Sequence, residues 1–245
     1  MFGAYQAGAW KVLSQVFRPD LIVGASIGAI NGWAIAGGCP PDDLIRRWLN
    51  LESAGRYRWK FPRRPWAGIL DTEPLQRTIR ELCGAYQPKI EFAVVVTDLM
   101  QLQPRIIRGS DVTCEHLLAT TAVVGLFDQV RISGRLHSDG GLLSAVPLWA
   151  AAELGATNVV VIDVLPETPG LIAKLFVGGI RMLSSFRPEP PKNIDVTRIA
   201  PPGLLGAPLE SIYWTRHNAE KWIDAGKRDA AAALKHSIAN CFERK

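Results

Sequence analysis

Three features that define large protein classes are missing from this sequence of 245 residues. No apolar run reaches the roughly 18–20 residues that a membrane-spanning helix needs. No signal peptide opens the chain. The only cysteines are Cys39, Cys83, Cys114 and Cys241, and their spacing does not suit a metal site. These absences predict free thiols, a cytoplasmic location and no metal site.

The composition is that of a folded globular protein, because 48% of the residues are hydrophobic and no low-complexity tract offers a linker. We therefore predict a single domain over residues 1–245. The net charge of +5 is modest. It suits an anionic surface such as phospholipid headgroups, and we expect no nucleic-acid partner and no cofactor.

Helical and strand-like patterns alternate along the chain with short connections. Strands are predicted at Leu21–Val23, Ile90–Leu99 and Thr157–Leu165, and a hairpin around Ser133-Gly134. A helical region is predicted over about residues 205–245, and a helix over 171–186 with a break at Gly178-Gly179. The alternation predicts an α/β fold with three layers, in which helices cover both faces of a mainly parallel central sheet.

The most informative motif is Gly24-Ala25-Ser26-Ile27-Gly28, which lies between a short apolar strand and an apolar helix. This order is typical of a nucleophile elbow, where the serine lies on a sharp, strained turn. Gly24 and Gly28 avoid the clashes that side chains would make there, and the following helix points its N-terminus at the serine. The alternative is a glycine-rich turn with Ser26 as an N-cap.

A serine needs a base to become a nucleophile, and the histidines are poorly placed for that role. His116 lies in a predicted helix, and His217 and His236 lie on the polar C-terminal helix. An esterase with a Ser-His-Asp triad stays open as an alternative, and it predicts His217 or His236 beside Ser26.

Asp139-Gly140-Gly141 is the second informative motif, directly after a predicted strand. The small residues after Asp139 allow another segment to approach its carboxylate closely. By itself the motif is equally compatible with an ordinary Asp-Gly turn.

Taken together, the two motifs resemble the patatin-like phospholipase family. Five further stretches are similar to that family: Gly3–Gly8, the small-residue stretch Ala119–Val123, Gly125–Phe127, Leu142–Pro147 and Glu153–Ala156. The resemblance covers about residues 1–165, which would form the catalytic core of a patatin-like α/β/α fold.

The resemblance implies a lipid acyl hydrolase with a Ser26–Asp139 dyad that needs no histidine. Asp139 would take the proton from Ser26 while the serine attacks an ester such as a phospholipid, and an acyl-enzyme would form. A carboxylate is a weak base, so we expect the Ser26 hydroxyl within about 2.6–3.2 Å of Asp139, or somewhat farther without ligand.

The resemblance also implies that Gly3 is the last glycine of an oxyanion loop whose other glycines and strand would precede Met1. We expect Met1 to be an internal methionine of a longer product; the alternative is a shortened, catalytically impaired relative that binds lipid or a protein. Loss of that strand would leave an apolar slot in the sheet.

Basic and aromatic residues alternate over Arg56–Trp66. This mixture suits peripheral contact with a membrane, where cations meet phosphates and aromatic rings lie among headgroups. A solvated loop whose rings pack on the domain is the alternative.

Overall fold

The computed structural model describes residues 2–51, 58–165, 171–188, 194–206, 210 and 214–243, with the backbone alone for 171–174, 176 and 236–243. The helices in these ranges are α1 Gly3–Leu13, α2 Ile27–Ala36, α3 Pro41–Leu49, α4 Glu73–Ala85, α5 Cys114–Thr120, α6 Leu148–Glu153, α7 Leu171–Leu183 and α8 Arg216–Glu243. The strands are β1 Leu21–Ala25, β2 Glu91–Asp98, β3 Gln103–Arg108, β4 Val130–Ile132, β5 Arg135–Ser138, β6 Asn158–Ile162 and β7 Asp195–Ile199.

The described strands form two sheets. The larger has the order β1-β2-β5-β4, and β3 also pairs with β2. This sheet is mixed. Strand β1 is parallel to β2, whereas β3 and β5 are antiparallel to β2 and β4 is antiparallel to β5. In the smaller sheet β6 and β7 are parallel. The predicted α/β class is confirmed.

Side chains of β2 alternate between two hydrophobic clusters on opposite faces of the sheet. Phe92 packs edge-on against Trp33 of α2, with ring centroids 5.6 Å apart. Val95 points the other way and clusters with Ala25 and Ala150 of α6. Because each face of β2 is covered by helices, the sheet forms the middle of three layers.

Helices α1 and α8 pack closely although they lie near opposite ends of the sequence. A Cβ at Gly8 would lie 2.0 Å from the Ile223 carbonyl oxygen, and one at Gly226 would lie 2.0 Å from the Tyr5 carbonyl oxygen. The Tyr5 hydroxyl donates to Asp229 Oδ2 at 2.8 Å. Glycine at both positions thus lets the two backbones approach. The predicted C-terminal helix, α8, thereby covers α1.

A slot separates the two sheets. Within the described chain, β1 is an edge strand of the larger sheet and β6 an edge strand of the smaller sheet. All residues of both strands line one cavity. The two strands therefore border one cavity between the sheets.

Two local predictions are wrong. Helix α7 continues through Gly178-Gly179, where we had predicted a break. Cys83 and Cys114, which we had predicted to be free thiols, form a disulfide between α4 and α5 with their Cα atoms 6.2 Å apart. Cys39 is a free, buried thiol, and the Cys241 side chain lies outside the described residues.

Candidate active site

Ser26 lies on the turn that joins β1 to α2. Its backbone has φ 51° and ψ −130°, a conformation that residues other than glycine rarely adopt. A Cβ at Gly24 would lie 2.4 Å from Ala29 Cα, so only glycine allows a turn this tight. At Gly28 a Cβ would approach only the Gln6 side chain, at 3.4 Å, and glycine is less strictly required.

Helix α2 begins directly after Ser26 and directs its N-terminus at the serine. The amides of Ile27 and Gly28 belong to the first turn, where N–H groups have no acceptor within the helix. The helix dipole adds partial positive charge at the same end. These groups can stabilise an oxyanion that forms beside Ser26.

Asp139 lies just after β5 and is held on several sides. Its backbone N–H donates to the Ala122 carbonyl oxygen at 3.0 Å. Its carbonyl oxygen accepts the Thr97 hydroxyl at 2.8 Å, and Oδ1 accepts the Gly141 N–H at 2.7 Å. The carboxyl is therefore buried in a fixed orientation, with only 8% of the residue exposed.

The aspartate turn needs glycine at position 140 because it packs closely on a neighbouring backbone. A Cβ at this position would lie 2.0 Å from the Val95 carbonyl oxygen of β2. The absence of a side chain lets the turn pack directly on the central strand. Asp139 is thereby brought to the end of the sheet that also carries Ser26.

Electrostatics at Asp139 favour a carboxyl that titrates near neutrality. Burial raises its pKa to about 6, while the nearby Ser26 hydroxyl and the Gly141 amide partly oppose this by stabilising the carboxylate. Oδ2 has no formed hydrogen bond to any described residue. The Ser26 hydroxyl thus lies close to the carboxyl without a completed bond, and the predicted distance of about 2.6–3.2 Å stays a prediction.

Ser26 and Asp139 both line the cavity that contains the slot. Its volume is about 830 Å³, within the range of about 300–1,000 Å³ that is typical of small-molecule sites. Helix α7 contributes Val177 and Arg181 to the lining. Apolar side chains make up much of the rest, including Trp10, Leu13, Phe17, Ile22, Leu142 and Val146. Such a lining can accept a hydrocarbon chain.

Gly3 is not among the residues that line this cavity, although it contacts Ile27 and Asn31, which are. It opens α1 and packs against Trp48 and Ile27, whose atoms would lie 2.4 Å and 2.6 Å from a Cβ there. Its carbonyl oxygen accepts the Asn31 amide at 2.9 Å. The structure does not bring Gly3 to the cavity lining, and its role as an oxyanion donor stays a prediction.

None of the histidines in the described residues lines the cavity. His217 is exposed at the start of α8. His116 caps α5 by accepting the Thr113 N–H at Nδ1, at 3.1 Å. The side chain of His236 lies outside the described residues. The position of His217 gives no support to the triad alternative.

Thr120, the last residue of α5, belongs to the site although no sequence motif indicated it. Its Oγ1 accepts the backbone N–H of Ser26 at 2.8 Å and donates to the Val95 carbonyl oxygen at 2.6 Å. The only signal was its place in the small-residue stretch Ala119–Val123, which gave no role to any single side chain.

In the part of the chain that the structure describes, no group of three His, Cys, Asp or Glu side chains could hold a metal ion. None of the helices described there combines the length and the apolar character that crossing a membrane requires.

Fold and site together define an α/β protein in which a strained serine turn follows a strand and a buried aspartate lies nearby. The family model described as patatin-like phospholipase matches residues 1–152. The chain therefore belongs to the patatin-like phospholipase family, a family of lipid acyl hydrolases that act on ester substrates. The resemblance inferred from the sequence motifs is confirmed.

Proposed function

We propose that this protein is a serine lipid acyl hydrolase of the phospholipase A type, with Ser26 and Asp139 as its catalytic dyad. One observation carries the proposal: the strained Ser26 turn and the buried Asp139 carboxyl line the same apolar cavity. This arrangement supports the proposal, because it would give a nucleophile, a base and space for an acyl chain in one place.

The reaction follows from this arrangement. Asp139 accepts the Ser26 proton as Oγ attacks the ester carbonyl carbon, and the negative charge moves to the carbonyl oxygen near the amides of Ile27 and Gly28. The intermediate collapses, the C–O ester bond breaks, and Asp139 returns the proton to the departing alcohol. Water then attacks the acyl-enzyme with Asp139 again as base, which releases a fatty acid and restores Ser26.

The raised pKa of Asp139 supports its role as a base without histidine. A carboxylate with an ordinary pKa near 4 is a poor proton acceptor. At about 6, Asp139 is a stronger base yet is still mostly ionised at pH 7.

Hydrolysis of a p-nitrophenyl acyl ester tests the dyad. We expect Ser26→Ala and Asp139→Asn each to lower kcat/KM by at least about 10³-fold, because each change removes a group that acts at the reacting atoms. Ser14→Ala and Asp224→Asn change the same residue types outside the cavity lining and should retain wild-type activity. Full activity in Ser26→Ala would rule out the proposed nucleophile.

The alternative is a catalytically impaired module that binds lipid or a protein partner. The observation in its favour is that Gly3, the expected oxyanion-loop glycine, packs on Trp48 and is not among the residues that line the cavity. This alternative predicts binding of phospholipid vesicles with no ester hydrolysis by the wild-type chain, at any pH between 5 and 9.

We further propose peripheral membrane contact through the described part of the basic-aromatic segment, Arg58–Trp66. Arg56 and Tyr57 lie outside the described residues. Phe61 is 94% exposed and Trp59 is 63% exposed, which places apolar rings at the surface. Arg63 and Arg64 are exposed beside them. Rings and cations side by side match the headgroup region of an anionic bilayer.

Vesicle flotation tests this contact with liposomes that contain anionic phospholipid. We expect the triple variant Arg58→Ala, Arg63→Ala, Arg64→Ala to lose most of its binding, because each nearby cation adds about 1 kcal/mol. The matched control replaces Arg216, Lys221 and Arg228 of α8 with alanine and removes the same charge elsewhere. Equal flotation of the two triple variants would refute a role for the segment.

A further inference from the structure

Three segments of the candidate site meet at one buried residue, Thr120. The residue is fully buried, with 0% exposure. Its hydroxyl accepts the Ser26 N–H at 2.8 Å and donates to the Val95 carbonyl oxygen at 2.6 Å. Its carbonyl oxygen accepts the Gly140 N–H at 3.2 Å. The nucleophile turn, the central strand and the aspartate turn are thus joined through Thr120.

The bond to Ser26 acts on the strained part of the turn. A residue other than glycine is strained at a φ of 51° and keeps that conformation only where its surroundings hold it there. That conformation directs the Ser26 N–H away from α2 and towards α5. Without an acceptor this N–H would be an unsatisfied group. The Thr120 hydroxyl therefore stabilises the one backbone conformation that presents Ser26 to the cavity.

Only a hydroxyl fits the two contacts. Because Val95 supplies an acceptor and Ser26 a donor, the side chain between them must donate and accept at a single atom. Valine has the shape of threonine but neither function. Serine has both functions and lacks only the methyl group.

We propose that Thr120 is a positioning residue for the dyad: its hydroxyl fixes the backbone of Ser26 and, through its carbonyl oxygen and Gly140, sets the separation of Ser26 and Asp139. This proposal rests on the proposed function. Thr120 contacts no reacting atom, so it acts through the two catalytic side chains.

The adjacent Thr121 provides a matched control. It is also buried, at 6% exposure, but its hydroxyl donates only to carbonyl oxygens of its own helix, those of Leu117 and Leu118 at 3.3 Å and 2.9 Å. Thr121→Val is therefore the same chemical change one residue away, without the link to Ser26.

The first test compares steady-state kinetics of Thr120→Val, Thr120→Ser and Thr121→Val on a p-nitrophenyl acyl ester. We expect Thr120→Val to lower kcat about 10- to 100-fold with KM nearly unchanged, because an unsatisfied amide displaces the nucleophile and not the bound acyl chain. Thr120→Ser should recover to within about threefold of wild type, and Thr121→Val should match wild type. Equal kcat in the two valine variants would overturn the proposal.

The pH dependence separates positioning from a general loss of stability. Since the Ser26 hydroxyl lowers the pKa of Asp139, its displacement should move the acidic limb of the kcat/KM profile to higher pH in Thr120→Val. Thr121→Val should leave that limb in place. An unshifted limb in Thr120→Val would mean that the hydroxyl does not set the distance between the two groups.

A final measurement does not depend on turnover. Amide hydrogen exchange of the segment 24–28, followed by mass spectrometry, should become faster in Thr120→Val than in Thr121→Val, because the Ser26 N–H loses its acceptor. If the wild type hydrolyses no ester, the proposed function fails, and exchange alone decides whether Thr120 holds the turn. Unchanged exchange in Thr120→Val would refute that hold whether or not the protein is active.

Discussion

Asp139 carries a stability cost at the scale of a single residue. Burial raises its folded-state pKa to about 6, above the value of about 4 in an unfolded chain. The folded state therefore binds the proton more tightly than the unfolded state. As pH rises from about 4 through 6, the unfolded chain ionises first, and the folded state loses relative stability.

This linkage predicts the behaviour of Asp139→Asn. Asparagine stays neutral and can still accept the Gly141 N–H, so the variant should be more stable than wild type by roughly 1–3 kcal/mol at pH 8. The gain should disappear near pH 4, where the wild-type carboxyl is protonated. Urea unfolding at both pH values measures the difference, and Asp224→Asn on the surface is the control. A gain that is the same at pH 4 and pH 8 would contradict the linkage.

Single residues also show what sequence could predict. Ser26 and Asp139 could be predicted because the glycines near them indicate tight turns. In the structure, close contacts at Gly24 and Gly140 leave no room for a Cβ. Thr120 could not be predicted in the same way. A threonine near a helix end is common, and its contact with Ser26 spans 94 residues of sequence.

At the scale of elements, the α1–α8 contact depends on glycine for close approach. Gly226→Ala places a Cβ about 2.0 Å from the Tyr5 carbonyl oxygen, so α8 must move away from α1. We expect a loss of roughly 1–3 kcal/mol in the free energy of unfolding, although alanine is the better helix former.

Gly84→Ala is the matched control for this element pair. Gly84 lies in α4 with no atom within 4 Å of an added Cβ, so helix propensity alone predicts a gain of about 0.5–1 kcal/mol. Thermal and urea unfolding of both variants measure the two values. The same sign in both variants would contradict close backbone packing at Gly226.

Elements were predicted better than their contacts. The hairpin around Ser133-Gly134 follows from local chemistry, since both residues have positive φ, 49° and 80°, as a tight two-residue turn requires. The break predicted in α7 was wrong. Each glycine lowers the stability of a helix by only about 1 kcal/mol relative to alanine, so two adjacent glycines do not have to end the helix. The packing of α1 against α8 could not be predicted, because no local sequence pattern indicates which distant helix a helix contacts.

At the scale of the whole molecule, the alternating pattern correctly predicted an α/β fold covered by helices on both faces. Strand directions were harder, because short connections after β2 return the chain antiparallel through β3 and the β4–β5 hairpin. The disulfide between Cys83 and Cys114 was missed for a related reason. The packing of α4 on α5 brings these thiols together, and their spacing of 31 residues does not show it.

The slot between β1 and β6 has a practical consequence for anyone who purifies this protein. Edge strands present backbone groups that another chain can pair with, and here those edges share one cavity with Ser26. A neighbouring molecule that adds a strand would therefore also obstruct access to Ser26. Concentrating the sample should then lower its specific activity before any turbidity is visible, and dilution into a mild detergent should restore it.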